Sequence, residues 1–478
     1  MPRKVNAIGA NRGFTADSGA PFGGQLPNRE EPSSTNKDKS KNIRRERLFK
    51  CIALILVLVV TLGIIGRAMS ASSYITYEDI MDYSGVTCVI NDRFEQPIYK
   101  DGAVTDYDAF GNLIGYENHI HNSILYKHYD LLMPKKISAI QGFRTLETQP
   151  RVMTTTLISQ EDQAELIALF QGKSGCCFSY NYVTGEIYTA LSLPACNPNN
   201  DNSAYLNRCF QSVYIPGSTM KIVTAALAID QGKNVDKLTY TCEKSYTLSD
   251  GNDINCAGVH GKIGFSSAIG QSCNSYFAQL ITELDLDKSL TTLKELGFTV
   301  NGATENQEVL DGLSKTVSSV SVTNTSNFKN VWGLIGQGRT QVSPIDMARF
   351  AAAVVNEGKT AQPYIISSVV NPNKDNSVIY KAETETVKLL SEKTAKKTAS
   401  YWKEGVDAYY YTRQGMSSVI DYAKTGTAEQ GDGNEDKLLM GVIENSKTAF
   451  FIVIEDCAGG PVPMTIANKL ADLLPTYS

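Results

Sequence analysis

Ser218 and Lys221 stand three residues apart in Tyr214-Ile215-Pro216-Gly217-Ser218-Thr219-Met220-Lys221. A Pro-Gly turn leads into the apolar, helix-forming run Met220 to Ile229. This places Ser218 at a helix start, where free backbone N–H groups and the positive end of the dipole favour negative charge. Residues three apart share a helix face, so the Lys221 amine can reach the Ser218 hydroxyl. A serine hydroxyl is a weak nucleophile until a base takes its proton, and a neutral lysine is such a base. The spacing alone does not decide between this and a capping serine before a solvated lysine, since Ser34/Lys37 and Ser326/Lys329 repeat it.

Two further constellations follow. Ser272-Cys273-Asn274 offers a hydroxyl that can relay a proton and an amide that can hold a substrate amide or position Lys221. The alternative is a hydrogen-bonded turn at a helix start, and Ser34/Asn36 and Ser179/Asn181 match the same spacing. Lys424-Thr425-Gly426-Thr427-Ala428-Glu429 sets a cation and two hydroxyls around a glycine in a strand-like run. Glycine there points to close approach of a backbone or ligand. Lys424, Thr425 and Thr427 suit a carboxylate, and a second lysine nearby lowers the pKa of Lys221.

Elements must carry these groups to one place. Gln163 to Phe170 reads as a helix, and Cys176–Val183 with Glu186–Leu193 as a hairpin turning at Thr184-Gly185. A loop holding Cys242 and Cys256 precedes a largely helical stretch, Phe265 to Leu286, and a short helix over Leu290 to Leu296. Ser343-Pro344 opens a helix over Ile345–Val355, with Gly358 beyond its end. Val419–Ala428, Leu438–Ile443 and Thr448–Ile454 are strand-like, and Pro463–Leu474 is an amphipathic closing helix. Strands near both ends of this region and helices between them predict an α+β domain with one sheet made from both ends.

The 478-residue chain is 42% hydrophobic and 20% charged with a net charge of −5, so it is mainly globular, and no basic excess points to nucleic acid. Residues 1–47 are polar and read as a disordered tail that ends in a basic cluster, Lys37 to Arg47. Leu48 to Ile65 is almost purely apolar, at the lower edge of the length that crosses a membrane, and places an anchor over residues 48–67. A cleaved signal peptide ending near Ser70-Ala71-Ser72 is the rival, but the long tail favours an uncleaved anchor. The basic flank sets the N-terminus in the cytoplasm and everything after about residue 68 outside the membrane. Thr87–Arg93 and Gln96–Tyr99 read as two short strands around a turn. His119, His121 and His128 lie close in sequence without further ligands at metal spacing, so no metal site is expected. Cys242 and Cys256 flank the turn signal Ser249-Asp250-Gly251-Asn252 and are either a disulfide or two unpaired thiols.

The order Ser-x-x-Lys, Ser-x-Asn, Lys-Thr-Gly, about fifty and then about one hundred and fifty residues apart, resembles the active-site signature of penicillin-binding proteins and serine β-lactamases. Gly336-Gln337-Gly338 followed by Ser343-Pro344-Ile345-Asp346-Met347-Ala348, and Asn181 to Gly185 before a strand, extend it. The arrangement is similar to a class B, monofunctional penicillin-binding protein. The resemblance implies an antiparallel five-stranded sheet with helices on both faces, an all-helical subdomain, a small N-terminal extracytoplasmic segment over 72–150 and a transpeptidase domain over 151–478. It implies a peptidoglycan D,D-transpeptidase in which Ser218 attacks a D-Ala-D-Ala peptide and Lys221 takes the proton. Ser272 and Asn274 aid proton transfer and hold substrate, Lys424, Thr425 and Thr427 receive the carboxylate, Gly426 is a further substrate-binding position, and the Ser218 and Thr427 N–H groups form an oxyanion hole. Stem peptides and β-lactams are the implied ligands, and a membrane glycosyltransferase is an implied partner. No cofactor is implied. The rivals are a D,D-carboxypeptidase or β-lactamase on the same fold, with Glu283 in a near match to a deacylating motif, and a non-catalytic β-lactam sensor or scaffold.

Overall fold

The structure is a computed structural model and describes residues 34–71, 88–115, 122–132, 150–198, 205–302, 306–308, 311–429 and 433–474. It divides into two compact units, Met1–Ser73 and Tyr74–Ser478. Among the described residues the first holds one helix, Ser34–Ala71. Its Lys39–Ile65 stretch is long and apolar enough to cross a membrane, and side chains such as Leu54, Val57 and Leu62 are exposed along it. The helix begins well before the apolar run, so residues 34–47 are not the unstructured tail that composition implied. Lys, Arg and Glu are good helix formers, and a helix already nucleated by the apolar run extends readily into them. His119 and His121 lie outside the described residues.

In the second unit the main sheet runs in the order Tyr422–Glu429, Glu435–Ile443, Thr448–Ile454, Gly175–Asn181, Ile187–Leu193. Every neighbouring pair is antiparallel. All seven residues of Thr448–Ile454 are buried. Alternate side chains of a strand face opposite ways, so both faces of the sheet are covered. The helices Pro344–Val355 and Pro463–Leu473 both pack against this strand. Inside the helix Pro344–Val355, the buried Asp346 receives hydrogen bonds from Lys315 Nζ at 2.6 Å, Ser318 N at 3.0 Å and Ser318 Oγ at 2.8 Å.

A second sheet runs Ser377–Lys381, Ile366–Asn371, Val152–Thr155, Val89–Asn91, Pro97–Lys100, Ala103–Val104. The hairpin expected near residue 93 is present in it. Val89–Asn91 also pairs in parallel with Val152–Thr155, so one sheet crosses the division expected at residue 150.

Between the two parts of the main sheet lie the helices Met220–Asp230, Phe265–Gly270, Asn274–Thr282, Leu286–Glu295 and Phe328–Ile335. This subdomain is not all-helical. The segment expected as a loop is a long hairpin, Thr239–Thr247 with Asp253–Gly264. Its strands are mostly polar and only sparsely buried, so they carry little of the apolar alternation that marks a strand in sequence.

Candidate active site

Ser218 lies in a 3-10 turn, Gly217–Thr219, that opens the helix Met220–Asp230. Backbone contacts clamp this turn. Gly217 has φ +53°, and a Cβ there would meet the Thr427 backbone at 2.6–2.9 Å. A Cβ on Gly336, at φ +113°, would meet Gly217 O at 1.8 Å. Only glycine permits both the left-handed backbone and the approach. Tyr214 anchors the incoming chain by pairing with Val342 and donating from its hydroxyl to Glu455 at 2.8 Å. The serine is thus pressed between the Lys424 strand and the Gly336 turn.

The helix brings Lys221 Nζ to 2.7 Å from Ser218 Oγ. The same nitrogen lies 2.8 Å from Ser272 O, 3.0 Å from Ser272 Oγ and 2.6 Å from Asn274 Oδ1. Lys424 Nζ is 3.0 Å from Ser272 Oγ and 2.9 Å from Thr425 O. Both lysines are fully buried. Burial holds the Lys221 amine well below its ordinary pKa, and the Lys424 charge adds to the effect. Burial alone pushes Lys424 down to about 7. A neutral amine has two hydrogens and one lone pair. Ser272 O and Asn274 Oδ1 accept only, so they take the two hydrogens of Lys221. Its lone pair is then left for the Ser218 hydroxyl.

The remaining residues fall into place around this centre. Ser272 and Cys273 interrupt the helical stretch expected over 265–286, with Ser272 at φ +56°. A non-glycine residue there is strained, as residues at functional sites often are. Asn274 donates from Nδ2 to Asn255 O at 2.8 Å, tying it to the hairpin. Gly426 lies against the Pro216 carbonyl oxygen, and Gln337 Nε2 donates to Thr427 O at 3.0 Å. A cleft of about 450 Å³ opens here, lined by Ser218, Asn255, Asn274, Gln337 and Thr427 among others. Glu283 has no place in it, because its carboxylate accepts from Tyr240 at 2.6 Å at the end of the helix Asn274–Thr282.

Two supporting residues escaped the sequence reading. The helix Glu392–Arg413 packs along the Lys424 strand. Its Trp402 Nε1 donates to Ala423 O at 2.9 Å, and its Tyr410 hydroxyl accepts from Thr425 N at 3.0 Å. Their signal was an aromatic pair eight residues apart behind the Ser391 cap, on the same side of a helix otherwise rich in lysine and alanine.

Of the two alternatives open for Cys242 and Cys256, the structure has the unpaired thiols. The hairpin register sets Cys242 opposite Gly261 rather than Cys256. Both sulfurs turn instead toward His260 and Cys273, a grouping that the expectation of no metal site did not foresee.

The family model described as the penicillin binding protein transpeptidase domain matches residues 175–472. The peptidoglycan D,D-transpeptidase PbpA of Mycolicibacterium smegmatis is 22% identical over 337 residues, covering 63% of this chain and 67% of the relative. Stage V sporulation protein D of Bacillus subtilis is 28% identical over 286 residues, covering 58% of this chain and 43% of the relative. Penicillin-binding protein A from M. tuberculosis, solved as an imipenem acyl-enzyme complex, superposes with a TM-score of 0.68 at 20% identity, covering 82% of this chain and 99% of that one. The D,D-transpeptidase domain of a peptidoglycan glycosyltransferase from Eggerthella lenta gives 0.66 at 21% identity, covering 82% and 98%. With the motif geometry in place and the family model spanning more than half its length, the chain belongs to the penicillin-binding protein transpeptidase family, in its class B branch.

Proposed function

We propose that this protein is a serine D,D-transpeptidase that cross-links peptidoglycan stem peptides and is inhibited by β-lactams. The observation that carries the reading is the Lys221 amine, buried and held between Ser218 Oγ, Ser272 and Asn274. Ser218 Oγ attacks the carbonyl of the penultimate D-Ala while Lys221 Nζ takes its proton. The new tetrahedral oxyanion is met by the Ser218 and Thr427 N–H groups. The C–N bond to the terminal D-Ala breaks, and its nitrogen receives a proton through Lys221 and Ser272. Asn274 holds the peptide, Lys424 with Thr425 and Thr427 receives the terminal carboxylate, and Gly426 lets the substrate lie close to that strand. An amine of a second stem peptide then attacks the acyl ester, forms the cross-link and returns the proton to Ser218.

The apolar helix supports a single membrane anchor over residues 48–67. The basic residues before it support a cytoplasmic N-terminus, with residues 72–150 and the transpeptidase domain, 151–478, outside the membrane. A membrane glycosyltransferase that supplies uncross-linked glycan is the partner such a reaction needs.

Fluorescent penicillin followed by a denaturing gel tests the reading. Covalent label is expected on the wild-type chain and not on Ser218→Ala, whose circular dichroism stays unchanged. Label that persists for hours marks a transpeptidase, and label lost within minutes marks a β-lactamase. Labelling of Ser218→Ala would remove the serine from the reaction.

A further inference from the structure

We propose that Cys242, Cys256, His260 and Cys273 bind one zinc ion, and that this ion fixes the Ser272-Cys273-Asn274 turn to the hairpin beside it. The four ligand atoms lie within 4.8 Å of one another. Cys256 Sγ is 3.8 Å from Cys273 Sγ, and His260 Nδ1 is 3.4 Å from Cys256 Sγ and 3.5 Å from Cys242 Sγ. A tetrahedral zinc site, with bonds of about 2.3 Å to sulfur and about 2.0 Å to nitrogen, separates its ligand atoms by roughly 3.5–3.8 Å. The measured separations match that spacing before any ion is considered. Three thiolates and one imidazole are a zinc donor set, and four protein ligands leave no open position. The ion is therefore structural and supplies no nucleophile.

Backbone N–H groups face two of the sulfurs. Cys273 caps the helix Asn274–Thr282, where its sulfur accepts from Tyr276 N at 3.3 Å. The backbone N–H groups of Asn274 and Ser275 point at the Cys256 sulfur. All three cysteines are buried, and His260 is half-buried.

The position gives the ion its purpose. Cys242, Cys256 and His260 belong to the polar hairpin Thr239–Gly264, while Cys273 sits between Ser272 and Asn274. A long, polar, two-stranded hairpin has little stability of its own. One ion joins both of its strands to the turn that presents Ser272 Oγ and Asn274 Oδ1 to Lys221. It also holds Ser272 in the left-handed conformation at φ +56°. Cys256 lines the cleft beside Ser218, so the bound ion would stand directly behind the cleft wall.

The test uses the full chain, purified in detergent with reductant and without chelator. Elemental analysis is expected to find about one zinc per chain. After stripping, cobalt(II) is expected to give a thiolate charge-transfer band and the intense visible bands of a tetrahedral site. Chelation is expected to lower the melting temperature, and added zinc sulfate to restore it by mass action. Cys273→Ser and Cys242→Ser should lose both the metal and the chelator response. If these variants fail to fold, the wild-type metal content and cobalt spectrum still decide. The proposal is overturned if the reduced wild-type chain takes up no zinc, if cobalt gives a weak octahedral spectrum, or if the natively prepared protein carries a Cys256–Cys273 disulfide. Stripping should also slow penicillin acylation at least tenfold, with zinc restoring the rate. That arm rests on the proposed transpeptidase reading, whereas the metal content does not.

Discussion

Lys221 and Lys424 are both fully buried and both reach Ser272 Oγ. Protonating both would set two like charges together in a poorly solvated site. One proton shared between them is the stable arrangement, and in the proposed reaction an arriving carboxylate would settle it on Lys424, because it favours the charged form there. Lys424→Ala is therefore expected to slow β-lactam acylation roughly ten- to a hundred-fold, from loss of a charge-assisted contact of about 1.5–3 kcal/mol. The pH profile carries the sharper signature. In the free protein Lys424 loses its proton at about 7, so the second-order acylation rate should decline as pH rises through that value. Lys424→Ala should lack this alkaline limb. Time-resolved labelling across the neutral range checks it, and an unchanged limb in the variant would assign the titration to another group. The three motifs were legible from residue type and order, because each is a short run that one turn or one strand presents whole. The Cys242–Cys256–His260–Cys273 cluster was not. Its members are separated by up to 31 positions, and only the bulged register of a hairpin and the break before Asn274 bring them together.

At the scale of elements, the Lys424 strand is the edge of its sheet, and one side of its backbone needs partners from elsewhere. The helix Glu392–Arg413 supplies them at Ala423 and Thr425. Tyr410→Phe leaves the half-buried Thr425 N–H without its acceptor, at a cost of up to about 1–3 kcal/mol. Chemical denaturation should read that loss. Acylation should fall as well, since the strand carries Lys424. Full activity together with wild-type stability would mean that the contact positions nothing. This helix was hard to see in the sequence because its buried face is itself only weakly apolar, with Thr394, Ala395, Thr398 and Gly405 beside Trp402, Val406 and Tyr410. The strand Thr448–Ile454 and the helix Pro344–Val355 were plain, because nearly every residue in them is buried and most are apolar. In the hairpin only the Ser249–Asn252 turn is legible in sequence, and its two strands are not, for the opposite reason. Its cohesion comes from side chains that converge on one point rather than from a buried face.

For the whole second unit, one buried ion pair stands out. Asp346 lies under the sheet with Lys315 and Ser318 as its partners. Asp346→Ala leaves the Lys315 amine buried without a counter-charge, which is expected to destabilise the fold by about 3–5 kcal/mol. Thermal unfolding monitored by far-ultraviolet circular dichroism measures this. A loss below about 1 kcal/mol, the range of surface pairs, would show that Lys315 finds water or another partner.

The main sheet interleaves the beginning and the end of its unit, with Gly175–Asn181 hydrogen-bonded along its length to Thr448–Ile454. That topology sets an order of events during synthesis. A chain emerging from the ribosome completes the Ser218 turn and the Ser272 turn long before the strands that clamp them exist. Pairings of such wide sequence separation close slowly, and incomplete sheets expose apolar edges in the meantime. The nascent protein therefore holds its serine and its lysine while the Thr427 backbone and the amine of Lys424 are still unmade. Reactivity is withheld until the last strand docks, so a chain cut short before Thr448 is inert toward penicillin even though the Ser-x-x-Lys and Ser-x-Asn motifs are intact.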